Sequence, residues 1–204
     1  MANVEFFYDY SSPWTYLAFT KIDGLCNKYG ARLEWRPFLV GGVFNSVNKA
    51  VYEFRERGLP AKHDYMKKDL SDWARHYGLK MKLFPSVFPV NSVKALRGAL
   101  VALEHPDKFL AYSYRVFEAY WSKDQDISQD NILRNIVTDA GLDADEYFDK
   151  INRQDYKDRL RANTDEVIKR GGFGTPTIYV NSDLLFFGND RLVLVEEELK
   201  RSRM

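Results

Sequence analysis

Within its first 38 residues the chain sets two strand-like runs on either side of one helical period, and no other stretch restricts the fold as strongly. Val4 to Tyr8 is a short β-branched and aromatic run closed by Asp9 and two serines, the pattern of a buried strand. Ser11 or Ser12 can cap a following helix and Pro13 suits its first turn. Trp14, Leu17, Ala18, Ile22, Leu25, Cys26 and Tyr29 then recur at helical spacing until Gly30. Arg32 to Phe38 alternates polar with apolar residues as a second strand. Two strands joined through a helix pair in parallel with a right-handed crossover, so this segment points to a layered α/β sheet.

From about Gly41 to Tyr156 the pattern is helical, roughly 110 residues in all. Helices are predicted over 69–77, 92–104 and 106–121, with Ser128 and Asp143 as N-caps of two more, Asp143 having Glu146 three residues on. A longer helix over 155–170 stops at Gly171-Gly172. Thr177 to Val180 and Leu184 to Phe187 read as strands around an Asn181-Ser182-Asp183 turn, and a helix over 190–201 follows. The order is β-α-β, a helical insertion, then α-β-β-α, which is the α/β class with helices on both sheet faces. The expected division is a sheet domain of residues 1–40 plus 157–204 and an inserted α-helical domain of residues 41–156.

A chain of 204 residues has ample apolar content for one large core. Thirty basic residues against twenty-nine acidic give a net charge of +1 with no basic stripe, which argues against nucleic acid as a partner. No signal-like segment and no apolar run of about eighteen residues occurs, so a soluble, cytoplasmic protein with no membrane partner is expected. The single cysteine, Cys26, excludes an internal disulfide and a multi-cysteine metal site. His63, His76 and His105 show no ligand spacing, so no metal is expected.

The element order resembles a thioredoxin-like fold with a helical domain inserted after the second strand, as in the DsbA-like proteins. Two motifs agree: Phe7-Tyr8-Asp9-Tyr10-Ser11-Ser12-Pro13-Trp14 at the first strand-helix junction, and Gly172-Phe173-Gly174-Thr175-Pro176-Thr177 before the third strand. Phe187-Gly188-Asn189-Asp190-Arg191-Leu192 is similar to a Gly-Asn-Asp-Arg motif of the kappa-class glutathione transferases and, more closely, of the 2-hydroxychromene-2-carboxylate isomerases. The resemblance covers essentially the whole chain.

A thioredoxin-type oxidoreductase uses Cys-x-x-Cys at the first helix, one thiolate attacking and the other resolving. Here the positions read Ser12-Pro13-Trp14-Thr15, and Cys26 lies fourteen residues after Ser12, roughly 21 Å along a helix and on its apolar stripe. Dithiol exchange is therefore excluded. Read from the residues alone, Ser12 is a helix cap or a group that hydrogen-bonds an external thiolate, and the two are compatible. The resemblance implies that the thiol is glutathione, a cofactor, with Ser12 as the catalytic residue and Ser11 as neighbouring support.

It further implies that Thr175 offers its backbone beside a cis Pro176, that Asn189 and Asp190 hold the γ-glutamyl end, and that Lys62 and Asn48 lie nearby. Asn91 is the matching substrate-side position, and Tyr10 and Trp14, read from the residues, are candidate aromatic walls for the substrate. Each has a plain structural alternative: solvated loop residues for Lys62 and Asn48, a near-cap for Asn91, a first-turn charge for Asp190, core for Tyr10 and Trp14. The activity implied is cis-trans isomerisation of a small aromatic carboxylate in the breakdown of naphthalene-type compounds, with a homodimer as the implied assembly. The alternatives are a kappa-class-like glutathione transferase for electrophiles, suggested by Gly41-Gly42-Val43-Phe44 where those isomerases carry a more basic stretch, and a non-catalytic binding module.

Overall fold

The computed structural model describes residues 1–203. Four strands, β1 (Asn3–Tyr8), β2 (Arg32–Pro37), β3 (Thr177–Val180) and β4 (Leu184–Phe187), form one sheet in the order β2-β1-β3-β4. β1 and β2 are parallel, with Phe6 opposite Trp35, and α1 (Pro13–Tyr29) connects them. β3 runs antiparallel to β1, with Phe7 opposite Thr177, and to β4, with Ile178 opposite Phe186. This is the thioredoxin-like α/β architecture implied by the order of elements.

Alternation along β1 sends Val4, Phe6 and Tyr8 to one face and Phe7 to the other. The first set packs on Ala18, Phe19 and Ile22 of α1 and on Val195 and Leu199 of α10 (Leu192–Arg201). Phe7 meets Phe38, Val43, Val167 and Tyr179 instead. With both faces covered, β1 has no solvent side, which is why its sequence is nearly unbroken apolar. Its one charge, Glu5, is buried and is gripped by both Nη atoms of Arg170 at 2.6 and 3.0 Å.

Capping residues fix the ends of α1. Ser12 is the N-cap, and Gly30 closes the helix at φ 60°, the Gly30 and Ala31 N–H groups donating to Asn27 and Cys26 carbonyls. The β3–β4 turn places Asn181 and Ser182 at φ 51° and 71°.

Between β2 and α9 (Gln154–Lys169) lie α2 (Val40–Val47), α3 (Ala50–Arg57), α4 (Pro60–Tyr77), α5 (Val93–Ala102), α6 (Pro106–Trp121), α7 (Asp130–Asp139) and α8 (Ala144–Asn152). The helix expected from residue 69 thus begins at Pro60. Its N-cap, Leu59, makes no side-chain cap bond, so no polar signal announces it. Ser128 is not a cap either: Gln129 is, while the Ser128 N–H donates to Asp126 Oδ1 at 3.0 Å. Asp143 does cap α8, accepting from the Asp145 and Glu146 N–H groups at 2.9 Å each. The last helix starts at Leu192, after a 3-10 turn over Asn189–Arg191. No helix among the described residues is long and apolar enough to cross a membrane.

Candidate functional site

Because β1 and β3 are neighbours, the loop leaving β1 meets the loop entering β3. The Thr175–Pro176 peptide is cis, as is Phe88–Pro89. Ser12 Oγ accepts the Thr15 N–H at 3.3 Å, capping α1, and donates to the Thr175 carbonyl at 3.3 Å. Thr175 Oγ1 accepts the Asp9 N–H at 3.1 Å and shares a hydrogen bond with Thr15 Oγ1 at 2.8 Å. Four hydrogen bonds thus lock the start of α1, and the residue before the cis proline sits against the cap.

Beneath this junction lies Asp9, fully buried. Its carboxylate accepts the Ser11 and Val40 N–H groups at 2.9 Å each, tying the β1–α1 loop to the first turn of α2. Burial pushes its pKa up, and those N–H donors offset the rise only in part.

A cavity of about 850 Å³ opens over Ser12. Pro13 and Trp14 of α1, residues of α2, α3 and α4, the 83–89 segment, Phe173 to Thr175 and Phe187 line it. Its walls are mostly aliphatic and aromatic, with Ser11, Ser12, Asn48, His63, Lys67 and Thr175 as the polar lining. This matches ligand sites generally, which are apolar with a few placed polar groups.

Of the residues singled out in the sequence, Ser12, Trp14, Asn48 and Thr175 are on this wall. Asn48 is the C-cap of α2, and its Nδ2 donates to the Phe173 carbonyl at 2.9 Å, bracing the loop before the cis proline. Pro176 is buried behind Thr175. Asn189 is 2% exposed at the start of the 3-10 turn, its side chain neighbours the Tyr77 hydroxyl, and its Nδ2 makes no well-formed hydrogen bond among the described residues. Asp190 is exposed and pairs with Arg191 at 2.5 Å.

Pro176, Asn189 and Asp190 are not in the cavity lining, and neither are three further residues. Lys62, in the first turn of α4, lines an adjoining recess with Glu53, Glu56 and Arg57, which shares Ala50 and Phe54 with the cavity, so it is a helix residue beside the cavity wall and not on it. Asn91 is exposed and its Oδ1 accepts the Val93 N–H at 3.1 Å, the near-cap alternative. Tyr10 is core: fully buried, its hydroxyl 2.8 Å from Ser113 Oγ and its ring 4.7 Å from Phe117.

The sequence did not reveal the walls from α3 and α4, nor His63 and Lys67 among them, because these segments converge only in three dimensions. For His63 and Lys67 the one available signal was their i,i+4 spacing, visible once α4 is known to start at Pro60.

Chemically, a hydroxyl at a helix N-terminus facing an apolar cavity favours an anion placed against it. Among the described residues the wall carries a thioether, Met66, but no thiol. Cys26 is buried on α1, and burial pushes its thiol up to about 12, far from a thiolate at neutral pH. No cluster of possible metal ligands exists among the described residues.

Comparison with known proteins agrees with this architecture. The family model for the DSBA-like thioredoxin domain matches residues 3–200. The chain is 28% identical to a 2-hydroxychromene-2-carboxylate isomerase of Sphingobium xenophagum, over 97% of each chain. It is 29% identical to glutathione S-transferase kappa 1 of Homo sapiens, over 95% of this chain and 88% of that one. A solved structure of a 2-hydroxychromene-2-carboxylate isomerase superposes with a TM-score of 0.82 at 27% identity, covering 98% of this chain and 95% of the other. A capping serine against a cis-proline loop, a β2-β1-β3-β4 sheet and a match over nearly every residue together make this chain a member of the DsbA-like thioredoxin-domain family.

Proposed function

We propose that the protein is a glutathione-dependent cis-trans isomerase that converts a 2-hydroxychromene-2-carboxylate to the trans-o-hydroxybenzylidenepyruvate in naphthalene-type aromatic breakdown. The observation that carries the reading is Ser12: a buried cap hydroxyl, 3.3 Å from the Thr175 carbonyl, on the wall of a large apolar cavity. Asn189 supports the fit to glutathione, since its buried amide nitrogen, beside the Tyr77 hydroxyl but without a well-formed hydrogen bond, suits a carboxylate at the γ-glutamyl end.

When bound, glutathione supplies the sulfur nucleophile that adds reversibly to a conjugated double bond, allows rotation about it, and leaves unchanged. Ser12 donates its hydrogen bond to that sulfur in place of the Thr175 carbonyl, favouring the thiolate. Thr175 then has its carbonyl available for a backbone N–H of the tripeptide, as in strand addition. Asp190 meets the γ-glutamyl ammonium. Trp14 and the other aromatic walls hold the flat substrate and exclude water.

Thermal melting tests the reading. Glutathione at about a hundred times its dissociation constant stabilises by roughly 2.7 kcal/mol, raising the midpoint by about 5–10 °C in a chain of this size. Ser12→Ala loses about 1 kcal/mol of capping and should leave the bound thiol with a pKa close to that of free glutathione, read from thiolate ultraviolet absorption. No shift at any glutathione concentration would sink the reading and leave a non-catalytic binding module.

The aromatic lining of the cavity also suits a kappa-type glutathione transferase for electrophiles. Thiol titration during turnover decides: constant glutathione means isomerase, stoichiometric loss means transferase.

A further inference from the structure

Among the described residues, the cavity wall carries no aspartate or glutamate, and two basic residues on it, His63 and Lys67, stand one turn apart on α4. Most of its polar groups are already engaged. Ser12 Oγ is bonded to Thr175, Asn48 Nδ2 to Phe173, and Thr175 Oγ1 to Asp9 and Thr15. His63 Nε2 lies 3.0 Å from the Phe54 carbonyl. A carbonyl only accepts, so that nitrogen carries the proton and its donor is used.

Lys67 differs. Its ion pair with Asp64 is long, 3.4 Å, between side chains 50% and 76% exposed, which contributes little. Its ammonium also stands 5.8 Å from the centroid of the Phe84 ring, which packs edge-on against Phe88 at 6.2 Å. Both rings line the same cavity and are more than two-fifths exposed. A cation beside the exposed Phe84 ring, in a wall whose described residues include no aspartate or glutamate, is a receptor for an arene that carries a carboxylate.

We propose that Lys67 is the carboxylate-recognition residue for the second ligand of this cavity, with Phe84 and Phe88 receiving its aromatic ring. This rests on the reading of the cavity as the substrate site and deepens it. Lys67 of α4 supplies the positive charge that the uncharged stretch Gly41 to Phe44 does not. The ligand would then lie with its charged end toward α4 and its reactive carbon toward Ser12.

Calorimetric titration of the full chain with trans-cinnamate and with its neutral amide, cinnamamide, tests this without turnover. The wild type should prefer the acid. Lys67→Gln should weaken cinnamate about tenfold, the loss of one charge-assisted contact, while leaving cinnamamide unchanged, and Lys67→Arg should restore the preference. Equal binding of acid and amide by the wild type, or an equal loss for both in Lys67→Gln, would overturn the assignment. So would a Lys67→Gln protein that keeps cinnamate affinity but loses glutathione, since the lysine would then serve the thiol. A wild type that ignores glutathione yet shows Lys67-dependent preference for cinnamate would sink the isomerase reading and uphold this one.

Discussion

Ser12 and Cys26 share α1 and differ in everything that governs reactivity. One caps the helix at a cavity wall, and the other lies 1% exposed among Phe6, Phe19 and Ile22 of the main core. With its thiol pushed up to about 12 by burial, Cys26 should resist a thiol-specific reagent in the native protein at neutral pH and react stoichiometrically once denatured. Fast native labelling would contradict the placement. At this scale legibility depended on whether the signal was local. Ser12 and Thr175 sit in short motifs whose partners are fixed by neighbouring strands, so they could be named in advance. Lys62 and Lys67 are five residues apart on one helix, and the turn alone decides which reaches the cavity. Without a visible start for α4 that turn could not be assigned.

The elements report their own constraints through two glycines. Gly98 of α5 sits where an added Cβ would come within 2.0 Å of the Tyr147 hydroxyl and 2.4 Å of the Tyr112 hydroxyl. Those hydroxyls lie 2.9 Å apart, and Tyr112 donates to the Ala95 carbonyl, also at 2.9 Å, joining α5, α6 and α8. Gly98→Ala should therefore destabilise by about 1–3 kcal/mol despite the better helix propensity of alanine. Gly24, exposed within α1, has open space around it, and Gly24→Ala should stabilise by about 0.5–1 kcal/mol. Denaturant midpoints measure both, and a shared sign would refute the packing argument. Strongly punctuated elements were legible in the same way: α1 between Ser12 and Gly30, and β3 and β4 around Asn181 to Asp183. α2, α3 and α4 have N-caps at Leu39, Lys49 and Leu59 with no side-chain cap bond, so helical composition was visible there but boundaries were not.

Across the whole molecule, one large core runs from β1 and β3 through α1 into α5, α6 and α8. Polar clamps close its outer edge. Just past α5, Glu104 accepts from Tyr156 Oη at 2.6 Å, Lys150 Nζ at 2.9 Å and Arg159 Nη1 at 3.1 Å, linking α5 to α8 and α9. Burial alone would push its pKa up, but those three donors outweigh it and hold the carboxyl down at about 2, against 4.5 for a free glutamate. A depressed folded-state value means the clamp stabilises fully above about pH 4.5 and is lost as pH falls through about 2. Glu104→Gln should thus flatten the acid limb of the stability-versus-pH curve over that interval, measured by denaturant midpoints. Parallel curves for the two proteins would contradict the clamp.

The sheet order also sets a clock. Ser12 and Thr175 are 163 residues apart, yet β1 pairs with β3 directly. At about 5–20 residues per second of synthesis, Thr175 follows Ser12 by roughly ten to thirty seconds. Through that interval one edge of the N-terminal strand waits for its antiparallel neighbour, and a nascent chain halted short of the third strand carries Ser12 with nothing to set it against.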